Sequence, residues 1–544
     1  MKDFLQSQFR RALEALGFPA DVPVAFEKPR VAAHGDLTTN IAMVLAQKAR
    51  RNPRDLAADI VRRLSVDPGL VSRIEVAGPG FINVSLTESF YRSQLKELIA
   101  RGGTFGRSEA GAGKRVQVEF VSANPTGPLT VGHGRGAVFG DTVARLLEWT
   151  GHDVTREYYF NNAGRQMRIL GDSVRLRYLQ LLGDSVQFPE DYYQGEYIKD
   201  IARHLVEEQG DRLRGEPAEG RFKQQAEDEI FDDIKKTLKT IGIEFRSFFN
   251  ENSLYEDGKI REVIDDLRSR GLVYDQDGAV WFKTSAFGAE KDKVIVKSTG
   301  EPTYRLPDIA YHREKFRRGY DLIVDIFGAD HVATYPDVLA GLKALGLDES
   351  RVKVLIHQFV TITQNGEVVK MSTRKANFIT LDELVAEVGP DVVRYFFIMR
   401  TIASHLNFDL GLAKKQSDEN PVYYLQYAHA RICSILKYAG RETDGAPESG
   451  IDYERLSAPE EVTLIKELLQ FPDIVESCAL TFEPHRLADY LHGLAGIFHR
   501  FYHEQRVVTE DKATTEARLA LCHATRVVLR NGFEILGIGA PEQM

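Results

Sequence analysis

At 544 residues the chain exceeds what one hydrophobic core can organise, so three or four domains are expected. Its 43% hydrophobic and 27% charged residues are ordinary for a globular protein, and neither an apolar run of about 18 residues nor an apolar N-terminal stretch is found, so the cytosol is the expected compartment. A net charge of −9 and a pI near 5.9 argue against indiscriminate nucleic-acid binding, while leaving room for a nucleic-acid partner at local basic patches.

In chain order, residues 1–108 read as a small α+β unit. Residues 4–16 have helical spacing, Gly35-Asp36 to Asn40 introduces a helical pattern over 41–49, and Asn52-Pro53 starts another over 56–64. Residues 74–85 give two short strands around a Gly-Pro-Gly turn, and 102–113 read as a linker. From Lys114 strands and helices alternate. The strand candidates 116–121, 280–282, 322–327 and 352–359, with helical patterns between them, predict a parallel α/β sheet in a domain spanning 109–400. Residues 164–245 are polar, helical and strand-poor, and read as an insertion between the two halves of that sheet. Beyond residue 401 strands nearly vanish, and Leu487, Leu491, Leu494, Phe498 and Phe501 recur at helical spacing, as does the pattern over 519–535. Residues 401–544 are therefore expected to be a helical bundle. Neither an internal repeat nor a low-complexity tract is present. Cys433, Cys478 and Cys522 are too far apart for a CxxC zinc site or a disulfide framework and read as buried thiols.

The most informative stretch runs from Val116 to Asp141: a buried strand, a loop governed by proline and glycine, then the first turn of a helix. It brings together backbone N–H groups, the His133 imidazole and a helix N-terminus, a setting suited to a polyphosphate. Gly132-His133-Gly134-Arg135-Gly136-Ala137 also fits the dinucleotide fingerprint, with Asp153 about twenty positions on. Against that reading, residues 122–129, with two prolines, separate the strand from the glycines. Hydride transfer also has no need of a second cationic loop. Such a loop stands at Lys370-Met371-Ser372-Thr373-Arg374-Lys375, beside the turn-prone Gln364-Asn365-Gly366. Alone it reads as a solvated hairpin edge; paired with the first loop it suits phosphoryl or nucleotidyl transfer, which rests on positioning and charge neutralisation.

These residues resemble the class I aminoacyl-tRNA synthetases and, in detail, the arginyl-tRNA synthetases. Residues 123–133 are similar to the HIGH signature of that class, and Lys370-Met371-Ser372-Thr373-Arg374 to its KMSKS loop. The arginine-specific likeness lies in Val118-Glu119-Phe120-Val121-Ser122-Ala123-Asn124-Pro125, in Thr303-Tyr304-Arg305-Leu306-Pro307-Asp308 and in Phe327-Gly328-Ala329-Asp330-His331. The N-terminal part resembles the family's additional domain through Gly35-Asp36, Asn40 and residues 77–83, and residues 420–544 resemble its anticodon-binding domain.

The resemblance implies a Rossmann-type catalytic domain between a small α+β domain and an all-α C-terminal bundle. It implies that L-arginine attacks ATP to give arginyl-adenylate and pyrophosphate, that the tRNA(Arg) 3′ end then takes the aminoacyl group, and that bound tRNA helps organise the first step. ATP with Mg2+ enters as substrate; no tightly bound cofactor, no dedicated metal cluster and no membrane contact are expected, and a monomer is. Carried onto this chain, His133 stabilises the α-phosphate, while Thr130, Gly132 and Gly134 adjoin ATP. Lys370, with Met371 and Ser372, holds the pyrophosphate. Asp308 pairs the substrate guanidinium, Tyr304 forms a wall, and Glu119 and Asn124 hold the α-amino and carboxylate ends. Asp308 also reads as a helix N-cap after Pro307. Tyr423, Tyr427 and Arg431 suit a platform for unstacked tRNA bases, and equally a helix with core-facing aromatics. The basic runs 48–51 and 313–318 could meet phosphates or form solvated helix faces. Thr130 replaces the first histidine of the class signature and Thr373 the second lysine of its loop, which motivates the alternative of a catalytically weakened, tRNA-binding relative.

Overall fold

The computed structural model describes residues 2–29, 31–364, 366–369, 379–445, 447 and 450–544. The chain divides into two compact units, the first comprising residues 1–105, 432–470 and 496–528, the second 106–431, 471–495 and 529–544. Among the described residues no helix is long and apolar enough to cross a membrane.

The first unit opens with α1 (Lys2–Glu14), β1 (Leu37–Thr39), α2 (Ile41–Ala49), α3 (Pro53–Arg63), β2 (Val71–Ala77), β3 (Phe81–Leu86) and α4 (Glu88–Arg101). Helix α3 starts where Asn52 accepts the Arg54 amide at 2.9 Å and Pro53 takes the first position, whose N–H would be idle in any helix. The strands form an antiparallel sheet in the order β1-β3-β2. Gly80, at φ +135°, makes its tight turn, where a Cβ would lie 2.9 Å from the Pro53 carbonyl. Arg92 is buried and its charge is met by Glu454 at 2.6 Å and Glu88 at 2.7 Å.

The second unit is built on a parallel sheet. Its first half comprises β4 (Arg115–Glu119), α5 (Val131–Trp149), β5 (Asp153–Phe160), α6 (Gly164–Leu181), α7 (Glu196–Gln209), α8 (Lys223–Thr240) and β6 (Ser247–Asn250). Next come α9 (Asn252–Glu256), α10 (Lys259–Ser269), β7 (Val273–Gln276), β8 (Ala279–Phe282), β9 (Lys293–Val296) and α11 (Arg305–Arg317). The second half comprises β10 (Leu322–Gly328), α12 (Tyr335–Ala344) and β11 (Val352–His357). Five strands lie in the order β11-β10-β4-β5-β6, so the strand order reverses between β4 and β10. In such sheets that point, at the carboxyl ends of the strands, is where ligands bind.

Three findings differ from the sequence reading. The 280–282 strand is real but belongs to a separate antiparallel sheet, β7-β8-β9, packed on α10 and α11. The parallel sheet is completed instead by β5 and β6. The helical stretch α6–α8 joins β5 to β6, inside the first half of the sheet.

Register explains how a charged strand such as β5 can lie inside the sheet. Asp325, Glu119 and Glu157 stand side by side across β10, β4 and β5. Helix α11 covers them with cations: Lys315 donates to Glu119 at 2.5 Å and to Asp325 at 2.6 Å, and Arg318 grips Glu157 with two nitrogens. His312 bonds Asp325 at 2.8 Å. Lys315 and Arg318 belong to the basic run 313–318, whose remaining arginines pair with Asp266, Glu262 and Glu314; that run is used up by ion pairs. Helix α5 has its own ionic anchor: buried Asp141 receives Arg145, Arg156 and Arg394, which hold its carboxyl below the usual carboxylate range against the effect of burial.

The chain continues through β12 (Val360–Gln364), β13 (Glu367–Val368), α13 (Leu381–Val388), α14 (Pro390–Ile398), β14 (Leu406–Asp409) and α15 (Leu410–Ala413). The remainder is helical: α16 (Pro421–Tyr438), α17 (Pro459–Leu468), α18 (Phe471–Thr481), α19 (His485–Glu504) and α20 (Lys512–Leu536). Leu487, Leu491, Leu494, Phe498 and Phe501 are all fully buried, as their spacing predicts, and the three cysteines are buried too.

Candidate active site

The site begins where β4 ends. The bend is made without glycine: Val121 and Ser122 sit at φ +67° and +42°, a region that costs energy for residues with a Cβ. The following loop is held residue by residue. The Ser122 hydroxyl donates to Glu119 at 2.9 Å, and the Tyr158 hydroxyl donates to the Ala123 carbonyl at 2.7 Å. Asn124 is exposed; its side chain accepts the Asn161 amide at 3.0 Å and donates to Gln166 at 3.2 Å.

Thr130 is the N-cap of α5 and His133 its third residue, and the two form a capping box. The Thr130 amide donates to His133 Nδ1 at 3.1 Å. That nitrogen must therefore be unprotonated, which places the proton of the neutral ring on Nε2 and makes Nε2 a donor. Burial pushes the His133 pKa below its ordinary value, with Asp330 pulling it back up. The first-turn amide of Gly132 has no intrahelical acceptor, so the helix end presents a donor to an anion. A Cβ on Gly132 would meet nothing closer than the Thr130 hydroxyl at 3.7 Å, leaving that amide approachable. A Cβ on Gly134 would strike Leu381 at 2.6 Å and Phe397 at 3.0 Å, so its bareness serves helix packing. On the far side of α5, His357 closes against Gly136; burial lowers its pKa to about 4.

Lys370, Met371, Ser372 and the rest of the cationic loop lie outside the described residues. Its downstream flank is described: Thr380 bridges to Thr130, and the Leu381 amide donates to the Leu129 carbonyl at 2.8 Å.

A second cluster gathers at the ends of β4, β5 and β6. The Tyr159 phenol donates to Glu251 at 2.6 Å, and burial together with the charges of Glu251, Asp308 and Glu119 pushes its pKa up. Asp308 lies inside the first turn of α11, whose N-cap is Tyr304, so the N-cap reading of Asp308 does not hold. Its carboxyl is pushed up to about 7, chiefly by burial and also by Glu119 and Glu251, while His312 and Lys315 pull it down. Glu119 is already paired with Lys315. Tyr304 is 86% exposed. Glu251 and Tyr159 were not singled out in the sequence, because β5 and β6 were not recognised as strands; the pattern Ser247-Phe248-Phe249-Asn250 followed by an acid is the signal that was there to find.

On α16, Tyr423 and Tyr427 stack with rings 6.2 Å apart and 8° from parallel, and the Arg431 guanidinium lies 5.0 Å over Tyr427. All three are half-buried, whereas His429 is buried and faces Phe533.

The dinucleotide reading fails on this geometry, since Asp153 begins β5 at the end of the sheet opposite the ligand edge. Three family models match: the arginyl tRNA synthetase N-terminal domain over residues 3–86, the class I (R) tRNA synthetase catalytic domain over 94–393, and the DALR anticodon-binding domain over 425–544. The chain is 55% identical to an arginine–tRNA ligase of Desulfotalea psychrophila, over 95% of this chain and 94% of that protein. It is 52% identical to one of Chlorobium phaeovibrioides over the full length of both. The fold matches the solved arginyl-tRNA synthetase of Thermus thermophilus at a TM-score of 0.78 and 22% identity, covering all of both chains. The chain belongs to the arginyl-tRNA synthetase family, within class I of the aminoacyl-tRNA synthetases.

Proposed function

We propose that the chain joins L-arginine to tRNA(Arg) with ATP, through an arginyl-adenylate. The arginine carboxylate attacks the α-phosphorus, the bond to the β,γ-pyrophosphate breaks, and the 3′-terminal ribose hydroxyl then displaces AMP from the carbonyl. The observation that carries this reading is a group of three carboxylates, Asp308, Glu119 and Glu251, whose charges all bear on Tyr159, together with His133 in the first turn of α5. A guanidinium is planar, permanently charged and rich in donors, and carboxylates answer both its charge and its shape.

In this reading Asp308 takes the guanidinium, releasing any proton it carries as the cation arrives, with Glu251 beside it and Tyr304 covering the open side. Glu119, kept in place by Lys315, faces the α-ammonium, and Asn124 the carboxylate end. His133 donates from Nε2 to the oxygen on which charge develops, and the Gly132 amide adds the helix terminus. Lys370, with Met371 and Ser372, neutralises the pyrophosphate; the tie of Thr380 to Thr130 supports this role, because it returns the chain to the phosphate end of α5 a few residues after that loop. Mg2+ travels with the ATP phosphates as part of that substrate, and we assign no residue of the chain to it. The Thr130 amide fixes the tautomer of His133, which answers the first of the two departures behind the weakened-synthetase reading; the second, Thr373, lies outside the described residues.

We further assign residues 1–108 to an additional tRNA-binding domain, 109–400 to the catalytic domain with its helical insertion near 164–245, and 401–544 to the anticodon-binding domain. Tyr423, Tyr427 and Arg431 stack unpaired bases there, and the enzyme acts as a cytoplasmic monomer. Charging of total tRNA with labelled arginine tests the whole reading. Esterification dependent on ATP is expected; comparable use of citrulline, which has the shape without the charge, would overturn it.

A further inference from the structure

We infer that Tyr197 is a positioning residue for this reaction, its hydroxyl fixing the loop that carries Asn124 at one end and Thr130 with His133 at the other. The inference rests on the reading above and adds to it a part for the helical stretch between β5 and β6.

The loop needs support because it starts from two strained, non-glycine residues, Val121 and Ser122. Up to Asn124 that support comes from β5, from the residues after it and from the first turn of α6. Tyr159 and Asn161 give backbone amides, and Tyr158 and Gln166 give side chains. Further along, the Tyr197 hydroxyl donates to the Thr126 carbonyl at 2.8 Å, Tyr193 bonds the Thr126 side chain, and the Leu381 amide holds the Leu129 carbonyl at 2.8 Å. Thr126 lies two residues after Asn124 and four before Thr130, so the Tyr197 bond fixes the backbone between the two ends of the loop.

Tyr197 is built for the task. It lies in the first turn of α7, and α7 is seated by Ile198, Ile201, Ala202 and Leu205, all buried. Burial raises its phenol pKa, keeping the hydroxyl a donor. The ring slots between two glycines. A Cβ on Gly127 would lie 2.9 Å from the hydroxyl, and one on Gly195 would lie 2.2 Å from the ring. Neither glycine has a left-handed φ, so each is there for space.

Tyr197→Phe keeps the ring and removes one hydrogen bond. In ATP–pyrophosphate exchange with tRNA present, we expect KM for arginine and KM for ATP to rise together by about fivefold, with kcat changed less than about twofold. A merely structural tyrosine would lower the melting temperature or the active fraction and leave both KM values alone. Gly127→Ala crowds the same hydroxyl, so its effect should be smaller in the Tyr197→Phe background than in the wild type. Unchanged KM values, a change in one KM alone, or additive effects of the two substitutions would each overturn the inference. A wild-type protein that neither exchanges pyrophosphate nor charges tRNA would instead remove the reading of the site, and the inference with it.

Discussion

The backbone amide of Thr130 donates to Nδ1 of His133 across 3.1 Å, and so decides which nitrogen of the imidazole carries the proton. A threonine can do this as well as a histidine, because the donor is main chain. The missing first histidine of the class signature is thereby without chemical consequence at Nδ1.

His133→Ala should keep the fold and lose about 10²–10³ in adenylation rate, the usual cost of one preorganised donor to a developing charge. Thr130→Val should lose about 1 kcal/mol of stability as a weakened cap but keep most of the activity, since the amide remains. Pyrophosphate exchange and chemical denaturation read both. Equal loss of activity in the two variants would show that the hydroxyl, not the amide, orients the ring.

Asp308 titrates near pH 7, so its carboxylate is present above that value and protonated below it. KM for arginine should therefore fall as pH rises from about 6 to about 8, and Asp308→Asn should flatten the profile and raise KM throughout. The sign for stability is the reverse. A carboxyl with a raised folded pKa favours the empty protein at low pH, an advantage lost as pH climbs from the ordinary carboxylate range towards 7. Asp308→Asn should consequently unfold no earlier than the wild type at about pH 8. An arginine KM independent of pH would refute the assignment.

Gly132 and Gly134 are two residues apart on α5 and should respond differently to alanine. Gly134→Ala forces a methyl against Leu381 and Phe397 and should cost about 1–3 kcal/mol of folding stability. Gly132→Ala should fold normally and show its defect in the KM for ATP. Urea titration separates them, and matching midpoints would contradict the packing role of Gly134.

Lys315→Met strips the counter-ion from Glu119 and Asp325 inside the sheet and should destabilise by about 3–5 kcal/mol. Adding Asp325→Asn to that variant should recover part of the loss, because less uncompensated charge remains buried. A single-variant cost below about 1 kcal/mol would mean that water reaches these carboxylates.

Much of this was legible in the sequence, and the failures share a cause. The strands β4, β10 and β11 declare themselves by apolar runs, and the glycine–histidine loop by its turn residues. By contrast β5 reads Asp153-Val154-Thr155-Arg156-Glu157-Tyr158-Tyr159-Phe160, and its charges hide an interior strand, since their partners Asp141 and Glu148 lie on the preceding helix and Arg318 far along the chain. With β5 and the short β6 unseen, Glu251 had no context. The strand of residues 280–282 was found, but pairing partners are not written in a strand's own residues. The basic run 313–318 looked like a phosphate surface because its acidic partners lie up to 196 residues away.

The left-handed bend at Val121 sets one property of the enzyme against another. Glycine at this position would relieve a backbone cost of order 1 kcal/mol once the greater freedom of the unfolded chain is subtracted. It would also slacken the tether from which Asn124 hangs, so heat tolerance and hold on arginine should shift in opposite senses in Val121→Gly. Calorimetry and an arginine titration on that single variant would show whether the protein has exchanged robustness for grip.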